Sequence, residues 1–345
     1  MTFVYYTKIT MSKEDIYILG IESSCDDTAA AILKNDEVLS NCISNQEIHK
    51  KYGGIVPELA SRAHLSNIIP VVNQALSDAK IKTNMLSAIA FTKGPGLMGS
   101  LLVGTEFSKA LGLSLDIPVI EVNHMQAHLL VHYIKSDKRK PKFPFLGITV
   151  SGGHTQFVIV EDHLKMQIIG ETLDDAIGEA FDKCGKIIGL NYPAGPEIDN
   201  LAKKGDLNKF NFPIPKVEGF DISYSGTKTA FMNFINNSIQ KDPEFIERNK
   251  VDICASIQKN LIDNLILKIE YASKIKSINR IVIGGGVSAN SFLKDSLELK
   301  SKENNWELFI PPLSYTTDNA AMIGIVGYLK YISGLFSNYS TIASP

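Results

Sequence analysis

The sequence predicts an α/β protein made of two similar halves, and three observations carry that expectation. Short β-type runs alternate with helical stretches along the chain. The 345 residues, 44% hydrophobic and 21% charged, suit about two well-packed domains and argue against a disordered or fibrous chain. Each half also opens with the same device, a hydrophobic hairpin around a small, polar turn. In the first half Tyr17 to Glu22 leads into Ser23-Ser24-Cys25-Asp26-Asp27 and returns along Thr28 to Leu33. In the second, Phe145 to Val150 leads into Ser151-Gly152-Gly153 and returns along Thr155 to Val160. The repetition points to an internal structural duplication, although residue identity between the halves is slight.

In chain order, strands are expected at Ile16 to Glu22, Thr28 to Leu33, Val38 to Ser44, Ala88 to Thr92 and Pro118 to Val122, where β-branched and apolar residues dominate. Helices are expected from Pro57 to Asp78 and Ser100 to Leu115, with a histidine-bearing segment at 124–128 opening a third. A charged, proline-bearing stretch from Lys135 to Pro144 then separates the halves. After the second hairpin, helices are expected at Asp174 to Ile188, Ser225 to Asn237 and about Val251 to Lys276. A strand at Arg280 to Ile283, a helix after Val287, a strand at Leu308 to Ile310 and a helix from Asp318 complete the pattern. The expected organisation is an extension at 1–15, a first domain at 16–143, a second at 144–334 and a tail at 335–345. Met11-Ser12-Lys13 resembles a second start, so the first ten residues read as a dispensable extension.

The net charge of -2 advertises no global affinity for nucleic acid. One local patch, Lys135, Lys138, Arg139, Lys140 and Lys142 against the single acid Asp137, is either a phosphate contact or a solvated loop. The four cysteines, Cys25, Cys42, Cys184 and Cys254, are scattered without a C-x-x-C pair, as expected of a cytoplasmic protein without a zinc knuckle. No apolar run approaches the roughly 20 residues of a membrane span, and the start lacks a signal peptide's apolar region.

Candidate chemistry begins at Asn123-His124-Met125-Gln126-Ala127-His128. Residues four apart share a helix face, so both imidazoles could reach one metal ion, though such pairs also occur as ordinary satisfied histidines. A zinc peptidase of the H-E-x-x-H type needs a glutamate after the first histidine, and Met125 stands there. A third ligand must come from elsewhere. Asp318, in Thr316-Thr317-Asp318-Asn319, either caps the last helix or completes a two-histidine, one-carboxylate site.

Several turns could hold a phosphate. Ser151-Gly152-Gly153-His154-Thr155 and Gly284-Gly285-Gly286-Val287-Ser288-Ala289-Asn290 let backbone N–H groups approach an anion, although hairpins and strand-to-helix turns use the same residues without ligands. Gly94-Pro95-Gly96-Leu97-Met98-Gly99 is similar. Glu22, Asp26 and Asp27 make the first hairpin turn acidic, which a cation or opposing amides would have to offset.

These segments, with Gly20-Ile21-Glu22-Ser23-Ser24-Cys25-Asp26-Asp27-Thr28, Gly53 to Arg62, Gly178-Glu179-Ala180-Phe181-Asp182-Lys183 and Tyr192-Pro193-Ala194-Gly195-Pro196, resemble in order the bacterial TsaD (Gcp) family of tRNA N6-adenosine threonylcarbamoyltransferases. The resemblance runs from Ile16 to about Gly327. It implies the actin-like, sugar-kinase and heat-shock chaperone (ASKHA) fold, two duplicated α/β domains around a nucleotide cleft. It also implies transfer of threonylcarbamoyl from threonylcarbamoyl-AMP to N6 of adenosine 37 in tRNAs reading ANN codons, forming t6A and releasing AMP. By the same resemblance His124, His128 and Asp318 are metal ligands for Fe(2+), with Zn(2+) also met. Thr149, Val150, Ser151, Gly152, Gly153, Asp182, Gly195, Asp199 and Asn290 hold the adenylate. Implied partners are tRNA, a TsaB-like paralogue docking on the first domain and a TsaE-like ATPase. Asp26 or Asp27 is the candidate base for the N6 proton; many relatives carry glutamate where Asp27 stands. The competing readings are an ATP-dependent kinase or ATPase of the same fold, which leaves the histidine pair unexplained, a metallopeptidase, which lacks its glutamate, and a scaffold within a tRNA-modifying complex.

Overall fold

The computed structural model describes residues 15–345, so the extension expected at 1–15 lies, apart from Asp15, outside the described residues. The first half builds β1 (Tyr17–Glu22), β2 (Thr28–Lys34), β3 (Glu37–Ser44), α1 (Pro57–Ala79), β4 (Ala88–Gly94), α2 (Met98–Leu115), β5 (Val119–Asn123) and α3 (His124–Leu130). The second builds β6 (Phe145–Val150), β7 (Thr155–Asp162), β8 (Lys165–Glu171), α4 (Ile177–Ile187), α5 (Gly195–Ala202), α6 (Ser225–Lys241), α7 (Phe245–Lys276), β9 (Arg280–Gly284), α8 (Ser291–Asn304), β10 (Glu307–Phe309) and α9 (Ala320–Ile332).

The duplication is visible in the strand order. One sheet runs β3-β2-β1-β4-β5 and the other β8-β7-β6-β9-β10. In each, the opening hairpin is antiparallel and the two later strands add in parallel, as helical crossovers require. The hairpin turns at 23–27 and 151–154 therefore occupy equivalent places at the carboxyl ends of β1 and β6. In open α/β sheets, that edge is where ligands bind.

The central strands β1, β2, β4, β6 and β9 are buried on both faces, so apolar content rather than alternation marks them. Leu146, Ile148, Val150, Ile281 and Ile283 face α4 and α7, whereas Phe145, Val158 and Val282 join α3, α9 and strands of the first sheet in one shared core. The last helix thus crosses back and packs on β1, β2 and β4. Small residues make that contact close: a Cβ on Gly20 would collide with the Ala320 carbonyl, and one on Gly327 with Ala90. The tail follows it home, with Ser337 N–H donating to Val119 (2.8 Å) and Ser344 N–H to Lys93 (2.9 Å).

Two elements escape the sequence pattern. The edge strand β8 exposes most of its residues and shows no apolar period, and α5 is only eight residues long. Helix α7 starts six residues before Val251, through Glu247, Arg248 and Lys250, which carry no apolar face. Among the described residues no helix is long and apolar enough to cross a membrane.

Candidate metal centre and nucleotide cleft

Strand β5 ends at Asn123, whose Oδ1 accepts the Gln126 N–H (3.0 Å) and so starts α3 at His124. His124 and His128 then fall on one face, both buried between the sheets. The third group arrives from α9. That helix is capped not by Asp318 but by Asn319, whose Oδ1 accepts the Met322 N–H (3.0 Å). The capping role expected at Asp318 is thus taken, and its carboxylate turns to the histidines.

His128 Nε2 lies 3.2 Å from His124 Nε2 and 3.1 Å from Asp318 Oδ1, and His124 Nε2 lies 3.4 Å from the same oxygen. An ion about 2.0–2.2 Å from each donor would hold neighbouring ligands about 3.0–3.4 Å apart on a tetrahedral or octahedral face, so the triangle already has the dimensions of a metal site. These three are a group of donors that could hold one ion, and two nitrogens with one carboxylate suit iron or zinc.

The surroundings favour positive charge there. Burial opposes a charged His124, but the Glu22 and Asp318 carboxylates overcome it and hold its imidazole well above the ordinary value. Burial also pushes against ionised Asp318, yet His124 and His128 keep it well below the usual carboxylate range. A cation between these groups, proton or metal, satisfies both. Glu22 Oε2 accepts from His124 Nδ1 (3.0 Å) and Thr92 Oγ1 (2.6 Å), while its Oε1 accepts the Ser24 N–H (2.5 Å). A carboxylate on Nδ1 fixes the tautomer that leaves Nε2 free to ligate. Met125 is buried in the core, so the position where a zinc peptidase carries its glutamate offers no base.

The acidic hairpin turn is held from outside by a residue the sequence did not single out. His64 of α1, fully buried, accepts from Thr28 Oγ1 at Nδ1 (2.8 Å) and donates from Nε2 to the Cys25 carbonyl (3.1 Å). Burial keeps it neutral, below its ordinary value. In that turn Asp27 is pushed up to about 7, first by burial and then by the charges of Asp26, Asp318 and Glu22. The Gly94 to Gly99 turn packs on this hairpin through Leu97 N–H to Ser24 O (2.7 Å); a Cβ on Gly96 would strike Ser24. It locks the turn rather than opening to a ligand.

Across the cleft, Gly152 and Gly153 are exposed and have no atom within 4 Å of a Cβ position. Ser151 closes the turn, its N–H donating to His154 O (2.9 Å). Thr149 and Val150 lie fully buried beneath it. Asp182 Oδ1 accepts the Ala194 N–H (2.7 Å) and orients the start of α5 near Gly195, its pKa raised by burial. Asp199 accepts from Ser291 N–H (3.2 Å) and Oγ (2.8 Å), and Asn290 caps α8 while its Nδ2 donates to Gln258 (2.7 Å). These three fix the walls of the cleft around α5 and α8. His154, whose role was not anticipated, is held below its ordinary value first by burial and then by the charge of His124.

In the basic loop, three of the five cations have acidic partners. Lys135 pairs with Glu37 (2.8 Å), Arg139 with Glu307 (2.8 Å) and Lys140 with Asp36 (2.8 Å). Two surface cavities of about 370 and 620 Å³ share Lys138, Leu308, Ile310 and Pro312, and neither is lined by the triangle residues.

The family model described as tRNA N6-adenosine threonylcarbamoyltransferase (TsaD) matches residues 37–325. A protein of that name from Christiangramia forsetii is 56% identical over 334 residues, 96% of this chain and 98% of the relative. One from Riemerella anatipestifer is 55% identical, covering 95% and 96%. The solved HypF of T. kodakarensis superposes with a TM-score of 0.61 at 14% identity, covering 93% of this chain and 48% of that one, a likeness of fold alone.

Proposed function

The chain belongs to the TsaD family of tRNA N6-adenosine threonylcarbamoyltransferases, and on that premise we propose which of its residues carry the transfer. It transfers threonylcarbamoyl to an adenosine N6 of tRNA, on an ASKHA fold. The finer reading is that threonylcarbamoyl-AMP is the donor, adenosine 37 of ANN-reading tRNAs the acceptor and t6A and AMP the products, in the cytoplasm. The observation that carries it is the triangle of His124 Nε2, His128 Nε2 and Asp318 Oδ1, together with the exposed Gly152-Gly153 turn.

In this reading the glycine amides hold the AMP phosphate, and Asp182 and Asp199 keep the α5 and α8 walls in place around it. His124, His128 and Asp318 would hold Fe(2+), or Zn(2+), which when bound supplies Lewis acidity toward the carbamoyl or threonyl oxygens. The donor is a mixed anhydride, so orientation and charge stabilisation suffice without an enzyme nucleophile. Adenine N6 attacks the carbamoyl carbon, the bond from that carbon to the phosphate oxygen breaks, and AMP leaves with the electron pair. The N6 proton goes to Asp27, with Asp26 beside it raising its basicity.

An Asp27 titrating near 7 sets the pH dependence. Its base form appears as pH rises through about 7, so transfer with saturating substrates should climb across that range. Asp27→Asn should lower the rate about 10²- to 10⁴-fold and flatten the profile. Stability carries the opposite sign. The folded value exceeds the unfolded value of about 4, so the folded chain binds more protons between them and loses stability as pH rises from about 4 to 7. Asp27→Asn should therefore melt higher than wild type at pH 8 and no higher at pH 4. A variant with full activity would remove Asp27 from the mechanism.

For partners, we assign the TsaB-like paralogue to the outer face of α1 and α2. Leu65 and Ile69 on α1 (65% and 57% exposed) and Met98 and Leu102 on α2 (44% and 43%) form two i, i+4 apolar pairs on packed helices. Leu65→Asp with Leu102→Asp should abolish heterodimer formation in size-exclusion chromatography without changing the melting temperature; an intact heterodimer would refute the assignment. A TsaE-like ATPase completes the proposed set.

A further inference from the structure

With Nε2 ligating a metal beside Asp318 and His124, His128 would carry its proton on Nδ1. That Nδ1 is buried and has no hydrogen-bond partner among the described residues. A metal-ligating histidine almost always donates its second nitrogen to an acceptor that fixes the ring. His124 has one in Glu22; His128 lacks its counterpart. A second buried atom is also unpartnered among the described residues, the Oγ1 of Thr149.

The fold brings them together. Thr149 on β6 is the register partner of Gly284 on β9. Both face α3: their strand neighbours Val150, Ile148 and Ile283 belong to the opposite core, while a Cβ on Gly147 would press on Leu129 of α3. A Cβ on Gly284 would lie 3.2 Å from the His128 Cβ. With neighbouring strands about 4.8 Å apart, Thr149 lies one strand over from the contact of Gly284 with His128, on the same sheet face. Thr149 is also fully buried, so it lies below a ligand resting on the exposed Gly152-Gly153 turn.

We propose that Thr149 is a positioning residue for the metal ligand His128, its hydroxyl receiving the Nδ1–H through one bridging water. The inference rests on the metal reading above and gives Thr149 a role distinct from holding the adenylate. It also places the two sides of the cleft in contact: the strand that carries the phosphate turn orients a ligand of the metal.

The test uses the full chain as wild type, Thr149→Val and Thr149→Ser. Cobalt(II) and zinc(II) affinities are measured by competition with a chromophoric chelator, the cobalt d–d absorption is recorded, and AMP affinity is measured by calorimetry. Thr149→Val should weaken both metals about 10- to 100-fold and shift the cobalt bands, and Thr149→Ser should restore them. Wild-type metal affinity in Thr149→Val overturns the proposal. So does loss of AMP binding with metal affinity intact, which would make Thr149 a nucleotide contact, or a Thr149→Ser as impaired as the valine variant, which would make its role packing. Failure of the wild-type chain itself to bind either metal would instead refute the metal reading, and this inference with it.

Discussion

Replacing His128 by alanine should abolish threonylcarbamoyl transfer while leaving most of the chain folded. The imidazole supplies one of only three donors in the triangle, and its Nε2 is the atom nearest both others, 3.2 Å from His124 and 3.1 Å from Asp318. Without it two donors remain, too few to compete with water for an ion. The lost stabilisation is several kcal/mol, on the order of 10³-fold or more in rate. Because His128 is fully buried in the core between the sheets, the same change leaves a cavity and costs about 2 kcal/mol of stability or more. Asp318→Ala separates the two effects. Asp318 is partly exposed and its helix keeps the Asn319 cap, so that variant should lose bound metal and transfer at a nearly unchanged melting temperature. Metal content by mass spectrometry, alongside thermal melting, distinguishes them.

The second large effect is expected at Gly284. A Cβ there would collide with the His128 backbone carbonyl and crowd the His128 Cβ at 3.2 Å. Backbone cannot give way as a side-chain tip can, so Gly284→Val must push α3 off the second sheet and break the triangle. The melting temperature should fall by several degrees, about 1–3 kcal/mol, and metal should be lost with it. Gly152→Ala is the contrast. No atom lies within 4 Å of its Cβ position, so stability should not change. If both variants melted like wild type, the close packing of α3 on β9 would be wrong.

Much of the fold was legible because its signals are local. Buried strands such as Ile18 to Ile21 and Ile281 to Ile283 announce themselves by apolar content, and the two hairpins by their small turns. Where burial is slight the signal disappears, as in β8, or where a helix begins on a charged turn, as in α7. The metal triangle was legible through the i, i+4 spacing of its histidines, but Asp318 lies 190 residues from His128, and only the return of α9 to the first sheet joins them. His64 and His154 were missed for the same reason. A lone histidine on α1 has no pattern to mark it until the hairpin turn is folded against it. In the basic loop the cations are contiguous in sequence, but Asp36, Glu37 and Glu307 reach three of them only in the folded chain.

The central claim, that a metal held by His124, His128 and Asp318 serves threonylcarbamoyl transfer to tRNA, is tested most directly by nucleoside analysis. Unmodified tRNA is incubated with threonylcarbamoyl-AMP, Fe(2+), the paralogue and ATPase partners, and either the wild-type chain or Asp318→Ala, then digested and assayed for t6A by mass spectrometry. The wild-type chain should form t6A with one AMP released per modified nucleoside, and Asp318→Ala should form none above background. Wild-type amounts of t6A from Asp318→Ala, with no bound metal, would contradict the account.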